Sequence, residues 1–372
     1  MRIKIISIHD IGTNFGSTLQ ACSLYDYIVS LGYEDVHVIN YKPYYAYHYG
    51  KVGQLLKKIL FFRAVLKQNK RFKEYYCEHC NLTQLYETFD ELKTESSSDV
   101  YIVGSDQVWN EYYDGGRDPA YYLKFTDSEN KMSYAASVGQ LQSESAIGRL
   151  IENISSFRYV SVREKASVAQ LVDAGREDVV HVLDPVFLMD KEYYIDKAFK
   201  NIYGEYILVY VVHSDPFLDS VIEKLSEKLN AKIILVGGFM QNVKHDYYLR
   251  DIGPKEFVNL INNAKFVVAN SFHATAFSIL MNKQFALINP KASPLRLSDM
   301  LEVAGINNRI ISSLDDIEKV LDPINYDKVN EIMEYEKKKS RTYLKNCLAE
   351  FEKILTTPVS YTHLRAHETP EH

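Results

Sequence analysis

Four short segments of this 372-residue sequence combine polar side chains with turn-forming residues, and each directly follows a short apolar run. The first is HDIGTNFGS at residues 9–17. Its two glycines and its asparagine permit positive-φ backbone, so that backbone N–H groups can converge on an anion where a helix begins. The pattern predicts a ligand-binding loop that includes Asn14, Gly16 and Ser17. A plain tight turn is the alternative.

The second segment is VGSDQVWN at residues 103–110, which holds the single tryptophan of the chain. Trp109 supplies a flat apolar ring, Asp106 a carboxylate and Gln107 an amide. Sugar-binding sites need that combination of a stacking surface and a few oriented polar groups. The alternative is a turn whose tryptophan belongs to the core.

The third segment is SVREK at residues 161–165. Ser161 and Glu164 have the spacing of a capping box, which predicts a helix that begins here after a strand. Arg163 would then lie at the positive end of that helix, where its charge is unfavourable unless an anion is bound. Its forked guanidinium suits a carboxylate. A neighbouring Asp or Glu is the alternative partner.

The fourth segment is ANSFHAT at residues 269–275. Asn270 or Ser271 is a natural N-cap. His273 therefore lies in the first turn of a helix, beside backbone N–H groups that the helix leaves unpaired. The position predicts a catalytic histidine in contact with a bound anion, which Asn270, Ser271 and Phe272 would also line. A core histidine is the alternative.

Several well-known functional patterns are missing. The sequence contains no GxxxxGK[ST], no GxGxxG after a strand, no HExxH and no DxD. Cys77 and Cys80 have the spacing of half a metal site, without a second pair. We therefore expect no metal and no cofactor, and the net charge of −6 gives no reason to expect nucleic acid as a partner.

The expected compartment is the cytoplasm, because the chain has no signal-peptide pattern, no run of 18 apolar residues and no disulfide framework. Residues 51–73 contain eight Lys or Arg and no acid, interleaved with apolar residues. Such a basic amphipathic helix can lie on the inner face of an anionic membrane. The alternative is a helix that covers the first domain and exposes its basic face.

Short β-branched runs alternate with helical stretches along the whole chain. This alternation predicts parallel sheets covered by helices, and its interruption near residue 195 predicts two such units. We therefore expect an α/β protein with Rossmann-like domains at 1–195 and 196–325 and a closing helix at 326–357. The predicted strands are 3–8, 35–41, 100–103, 133–137, 159–162, 179–183, 206–212, 232–236, 265–269 and 284–288, and the predicted helices are 17–31, 217–230, 254–263, 272–282 and 327–355.

The last fifteen residues, 358–372, differ in composition from the Lys- and Glu-rich stretch before them. They resemble the translation of a sequencing adapter, and we treat them as a non-native tail. Because this segment has no apolar period with which to dock, its removal should leave the melting temperature and the activity unchanged. Melting curves of the full and truncated chains test this, and a clear drop on truncation would contradict it.

Taken in this order, the segments resemble the polysaccharide pyruvyl transferase family. The resemblance runs from residue 3 to about residue 321 and includes LDP at 183–185. It implies a fold similar to that of GT-B glycosyltransferases, with two Rossmann-like domains facing across a cleft. It also implies phosphoenolpyruvate as the donor and a pyruvate ketal on two sugar hydroxyls as the product. In the family, residues that correspond to Arg163 and His273 serve the donor.

The family's roles carry over to an acceptor side in the N-terminal domain and a donor side in the C-terminal domain. His273 would be the acid, Arg163 would bind the donor carboxylate or phosphate, and Asp106 would orient or deprotonate a hydroxyl of a saccharide acceptor, free or lipid-linked. Members often have Arg-x-His where this chain has Ser271. Lys291 and Arg296 are the candidates to replace that cation.

Two other functions stay open. A GT-B glycosyltransferase would use a nucleotide sugar, whose ribose is commonly held by a carboxylate of the second domain, but Asp299 is the single acid between residues 265 and 301. A catalytically silent sugar-binding relative would explain the arginine missing at Ser271.

Overall fold

The computed structural model describes residues 1–9, 14–43, 61–139, 142–212, 216–237, 244–288 and 294–357. These residues form two large parallel β-sheets covered by helices. The predicted α/β class with two Rossmann-like units is therefore confirmed. The domain boundary at 195 remains a prediction.

The first sheet has the strand order β3-β2-β1-β4-β5, and every pairing is parallel. Two further strands, β6 and β7, pair with each other and are joined to the β5 side by single bridges. The strands are β1 (Ile3–Ile6), β2 (Val36–Tyr41), β3 (Leu82–Tyr86), β4 (Val100–Val103), β5 (Lys131–Ser133), β6 (Val160–Val162) and β7 (Val179–His181).

The second sheet has the order β10-β9-β8-β11-β12-β13 and is also parallel. Both sheets begin in the middle, extend to one edge and then cross to the other side, as in the Rossmann fold. The central strand FVVA at 266–269 is apolar throughout because helices cover both faces of the sheet. In the central strand IKII at 3–6, the buried Lys4 pairs with Glu95. The strands are β8 (Tyr206–Tyr210), β9 (Lys232–Val236), β10 (Tyr247–Leu249), β11 (Phe266–Ala269), β12 (Phe285–Ile288) and β13 (Ile310–Ile311).

The helices that were predicted lie within two residues of their expected bounds at nearly every end. The strand expected at 133–137 instead ends at Ser133, because Ala135 has a φ of 54°, outside the extended region. The helices are α1 (Phe15–Ser30), α2 (Phe62–His79), α3 (Phe89–Leu92), α4 (Glu144–Asn153), α5 (Lys165–Asp173), α6 (Lys191–Tyr194), α7 (Pro216–Leu229), α8 (Pro254–Asn263), α9 (Phe272–Leu280), α10 (Pro294–Val303), α11 (Asp316–Leu321) and α12 (Tyr326–Thr356).

The order of each sheet reverses at one place, between β1 and β4 in the first sheet and between β8 and β11 in the second. Open α/β sheets bind their ligands beyond the carboxyl ends of the strands at this point. Residues 9–17 follow β1, residues 103–110 follow β4 and residues 269–275 follow β11. The topology therefore brings three of the four chemically suggestive segments to the ligand-binding ends of the sheets.

Helix α12 ties the two sheets together. Met333, near its start, packs in the cluster around the second sheet, whereas Leu344 and Phe351 pack with β1 and β2 of the first sheet. In between, the backbone N–H of Leu183 donates to Ser340 Oγ over 2.9 Å. The helix thus links the two sheets across their common crevice.

Helix α2 contains the described part of the basic segment 51–73, whose residues 51–60 lie outside the described chain. Its apolar face, with Phe72 and Tyr76, is buried in the core between the sheets, and Lys67 pairs with Asp251 of the second unit. This matches the interpretation of a covering helix. None of the described helices is long and apolar enough to cross a membrane.

Candidate active site

His273 lies at the start of α9, directly after β11. Ser271 is the N-cap residue of this helix, although its side chain makes no capping hydrogen bond. Asn270 faces the other way, and its Oδ1 accepts a 2.7 Å hydrogen bond from the backbone N–H of Val212. This bond joins the carboxyl ends of β11 and β8, so the turn that carries His273 is fixed at the reversal point of the second sheet.

The imidazole of His273 lies between the two Rossmann-like units and is only 8% exposed. Its Nε2 is 3.6 Å from Oδ2 of Asp184, which is close for an ion pair and long for a hydrogen bond. Nε2 has no hydrogen-bond partner among the described residues. A buried histidine with an unused ring nitrogen beside a carboxylate has the arrangement of a proton-transfer group.

Gly16, in the first turn of α1, lies against this imidazole. A Cβ at position 16 would be 2.0 Å from Nδ1 of His273 and 2.4 Å from its Cγ. Gly16 therefore contributes to the site because it has no side chain, which leaves room for the imidazole of His273. The N-termini of α1 and α9 approach each other here because position 16 has no side chain.

Gly16→Ala should displace His273, and we expect it to destabilise the fold by about 1–3 kcal/mol, as overpacking does, and to reduce activity. Melting temperature and turnover of the variant test this. Gly148→Ala is the matched control, since Gly148 is an exposed helical glycine with no atom within 4 Å of an added Cβ. The control should be neutral or slightly stabilising. An active Gly16→Ala variant with an unchanged melting temperature would contradict the observed contact.

Arg163 follows β6 and is buried. Its Nη1 donates to Asp184 Oδ2 over 2.8 Å, and its Nε lies 3.4 Å from Glu164 Oε1. Arg163 thus has the acidic partners that the alternative interpretation named. Burial lowers the pKa of Arg163, but the charges of Glu164, Asp184 and Asp106 outweigh burial and raise it. Nη2 has no hydrogen-bond partner among the described residues, and the ring of Phe272 stacks 3.9 Å from the guanidinium carbon.

The capping box predicted at 161–164 is wrong. Ser161 belongs to β6, where its Oγ donates to the backbone carbonyl of Ser133, and α5 begins only at Lys165. Because β6 lies beside β5, the hydroxyl of Ser161 bonds to the backbone of Ser133 and does not cap the helix. Arg163 therefore precedes the helix, and its charge is balanced by carboxylates.

Asp106 follows β4 of the first sheet, the sheet that also positions Arg163. It has a φ of 76°, a backbone conformation that only a few non-glycine residues adopt. Its Oδ2 accepts a 2.5 Å hydrogen bond from Ser17 Oγ, and its Oδ1 accepts one from the Gln107 backbone N–H. Asn14 caps α1 by accepting from the Ser17 N–H. The first and second of the four segments therefore meet at the reversal point of the first sheet.

Trp109 does not fit the predicted sugar-stacking role. It is 1% exposed, its Nε1 donates to the carbonyl of Tyr121, and its ring packs against Tyr122 and Phe157. The core alternative describes it, and no ring face is left for a sugar. Gln107 is partly exposed, and its Oε1 accepts a 2.7 Å hydrogen bond from Nδ2 of Asn110.

Comparison with protein families gives a match to the model described as polysaccharide pyruvyl transferase, over residues 14–291. The chain belongs to the polysaccharide pyruvyl transferase family. The match spans most of both sheets, and it covers three of the four segments entirely and residues 14–17 of the first. Membership in this family indicates a transferase that acts on polysaccharide. A comparison with curated proteins gives no match.

Solved structures show the same fold at low sequence identity. A putative UDP-N-acetylglucosamine 2-epimerase from Listeria monocytogenes has a TM-score of 0.58 at 11% identity, covering 96% of this chain and 97% of its own. The UDP-GlcNAc 2-epimerase of Methanocaldococcus jannaschii, in complex with UDP-GlcNAc and UDP, has a TM-score of 0.56 at 14% identity, covering 94% and 100%. The glycotransferase of kitacinnamycin has a TM-score of 0.50 at 10% identity, covering 95% and 98%. These likenesses confirm the GT-B-like fold.

Asp184 also belongs to the site, although it was not predicted as a site residue from the sequence. Its Oδ2 also accepts from Ser105 Oγ over 2.8 Å, and its Oδ1 accepts from the backbone N–H of Val186. Burial raises the pKa of Asp184, but the neighbouring His273 and Arg163 outweigh burial and hold that pKa below its usual range. The available signal was the LDP pattern at 183–185, which belongs to the resemblance to the family but carried no role for Asp184.

The remaining candidates lie beyond the described side chains. Lys291 is outside the described residues, and Arg296 belongs to α10, where its side chain is not described. Among the described residues no group of three or more His, Cys, Asp or Glu could hold a metal ion. Cys77 is exposed and Cys80 lies 3.3 Å from the thiol of Cys22, so the half metal site of the sequence does not assemble with further ligands there.

Proposed function

We propose that this protein transfers pyruvate from phosphoenolpyruvate to two hydroxyls of a sugar, in a surface polysaccharide or its precursor, and releases phosphate. The supporting observation is the Arg163–Asp184–His273 cluster in the crevice. It joins a histidine of the second sheet to an arginine and an aspartate of the first. An acid and a cation held together in this way suit an anionic enol phosphate that must be protonated.

The reaction balances with two proton transfers at the histidine. His273 gives its proton to the methylene carbon of phosphoenolpyruvate, which becomes the methyl group, and positive charge develops at C2. One sugar hydroxyl adds to C2 and the second displaces phosphate, so that two C–O bonds form and the bond to phosphate breaks. Of the two protons that the hydroxyls lose, one restores His273 and the other leaves with phosphate.

The other residues act on binding. Arg163 contributes its unpaired Nη2 edge to the donor, and the backbone N–H groups at the start of α9 bind phosphate. Lys291 and Arg296 would supply the cation that Ser271 lacks. Asp106, held by Ser17 after β4, orients an acceptor hydroxyl. No cofactor takes part in this scheme. Phosphoenolpyruvate serves as a co-substrate.

The scheme allows either a lipid-linked or a soluble saccharide as the acceptor. A saccharide precursor on a lipid carrier would bring the enzyme to the cytoplasmic face of the membrane, where the basic segment 51–73 would meet anionic lipid. A soluble saccharide would need no such contact. Sedimentation with anionic vesicles, with and without the lipid-linked acceptor, distinguishes the two.

Phosphate release from phosphoenolpyruvate in the presence of saccharide acceptors tests the proposal. A pyruvyl transferase releases phosphate in proportion to the ketal formed, which mass spectrometry detects as the added pyruvate. A glycosyltransferase would instead consume nucleotide sugar, and a silent sugar-binding relative would consume neither. Failure to release phosphate with any acceptor of a broad panel would contradict the proposed reaction.

A further inference from the structure

A carboxylate from the second unit caps a helix of the first. Asp299, in α10, accepts hydrogen bonds from the backbone N–H groups of Lys165 (3.1 Å) and Ala166 (3.4 Å), the first two residues of α5. The N-cap residue Glu164 leaves these groups open, because its side chain contacts Ser137 and Arg163 instead. The start of α5 therefore binds an anion that reaches it from across the crevice.

A second unused donor lies at the same place. Arg163 is buried, and its Nη2 lacks a hydrogen-bond partner among the described residues. Arg163 and Asp299 line one cavity together with Asp184 and Phe272. The volume of this cavity is about 10 Å³, roughly the room that one water molecule needs. Asp299 and the guanidinium of Arg163 therefore face the same small cavity.

The surroundings of Asp299 disfavour the charged form of its carboxyl group. Burial raises the pKa of Asp299, and the negative charges of Glu164 and Glu302 add to that rise, while the N–H groups of α5 oppose it. A ligand anion that also contacts Arg163 and His273 would gain interactions that Asp299 does not make. The added contact with Arg163 and His273 would therefore favour the ligand over Asp299.

We propose that Asp299 occupies the subsite for an anionic group of the substrate, a carboxylate or a phosphate, and that the substrate displaces it as the two units separate. The identity of the ligand as phosphoenolpyruvate rests on the proposed function. The subsite consists of the first N–H groups of α5 and the unpaired edge of Arg163. Asp299 then couples entry of the donor to opening of the crevice.

Asp299→Ala removes the competing carboxylate, and calorimetry with phosphoenolpyruvate, pyruvate and inorganic phosphate measures its effect without turnover. We expect binding of phosphoenolpyruvate to tighten by about tenfold, the scale of one charge-assisted contact. A parallel gain with pyruvate assigns the subsite to a carboxylate, and a gain with phosphate assigns it to a phosphate. Unchanged or weaker binding of all three overturns the proposal. Asp299→Asn, which keeps the shape, should give a gain of the same sign if the Ala variant is unstable.

Lys165→Pro, made in the Asp299→Ala background, tests the N–H groups themselves. Glu164 is extended, with ψ of 130°, as a residue before proline must be, and proline is well tolerated at the first helical position. Lys165→Ala is the matched control, because it removes the same side-chain charge and keeps the N–H group. We expect the proline to cancel the gain and the alanine to keep it. Equal affinities in the two variants would overturn the subsite.

The proposed reaction and the subsite fail separately. Tighter binding in the Asp299→Ala variant without phosphate release from any acceptor would refute pyruvyl transfer and leave the anion subsite standing. Normal phosphate release with no gain in binding would refute the subsite alone.

Discussion

His273→Gln should bind phosphoenolpyruvate nearly as well as the unaltered protein and turn it over about 10²–10⁴-fold more slowly, the range that positioned acid–base groups contribute. Glutamine has a similar size and retains an N–H donor for Asp184, but it cannot give up a proton. Since His273 is buried between α1 and Asp184, a change of shape would be a confounding effect, and glutamine keeps it small. Calorimetry and phosphate release on one preparation measure both quantities.

His37→Gln is the matched control for this substitution. His37 is a partly exposed histidine in β2 that pairs with Asp35, away from the crevice, and its replacement should leave turnover unchanged. If His273→Gln also turned over normally, His273 would not be the acid, and the proposed mechanism would fail at its first step. If donor binding were lost together with turnover, the histidine would serve in binding and not in proton transfer.

Asp184→Asn should lower the free energy of unfolding by about 3–5 kcal/mol, because removing one partner of a buried ion pair leaves the other charge uncompensated. Among the described residues, Glu164 would be the one ion-pair partner left to Arg163, at a longer distance, because a neutral amide would replace the 2.8 Å partner. Catalysis should fall too, since Asp184 is the carboxylate beside His273. Denaturant unfolding at neutral pH measures the first effect. Asp90→Asn, which breaks an exposed pair with Lys93, is the control and should change stability by about 0.5 kcal/mol or less.

The same pair predicts a dependence of stability on pH. Since the folded-state pKa of Asp184 is held below its unfolded value, the ionised carboxylate stabilises the fold above about pH 4, where the unfolded chain is also ionised. This contribution is lost as the pH falls toward the folded-state pKa. The gap in stability between the unaltered protein and Asp184→Asn should therefore narrow below about pH 4. A gap that stays constant with falling pH would show that Asp184 acts through its shape and not its charge.

The fold was largely predictable because its signals are local. Buried parallel strands such as β1, β8 and β11 are short apolar runs, and the helices between them begin and end at recognisable residues. The strands that were missed, β3, β10 and β13, lie at or near sheet edges, where the pattern is mixed. Strand β3, for example, has the sequence LTQLY with two exposed positions. At an edge, tertiary pairing outweighs local preference.

The candidate site was predictable only in part. His273 and Asp106 follow central strands, and a strand-to-turn position is visible in a sequence. The partners of Arg163 were not visible, because Asp184 is 21 residues away and its pairing depends on how β6 and β7 join the first sheet. Trp109 was misinterpreted for the same reason, since an aromatic residue after a strand has the same sequence pattern whether it points into the crevice or into the core.

The sequence by itself determined the positions of the central strands, the turns at which chemistry can occur and the family to which the chain is similar. Apolar periodicity and turn residues act over a few neighbours, so these features need no knowledge of the rest of the chain. The tertiary structure decided which charges meet. Asp184 stands between Arg163 and His273, and Asp299 caps a helix that begins 134 residues earlier, because two separately formed sheets pack with their ligand-binding ends facing each other. Contacts across that crevice depend on packing between distant segments, which short-range sequence patterns do not specify.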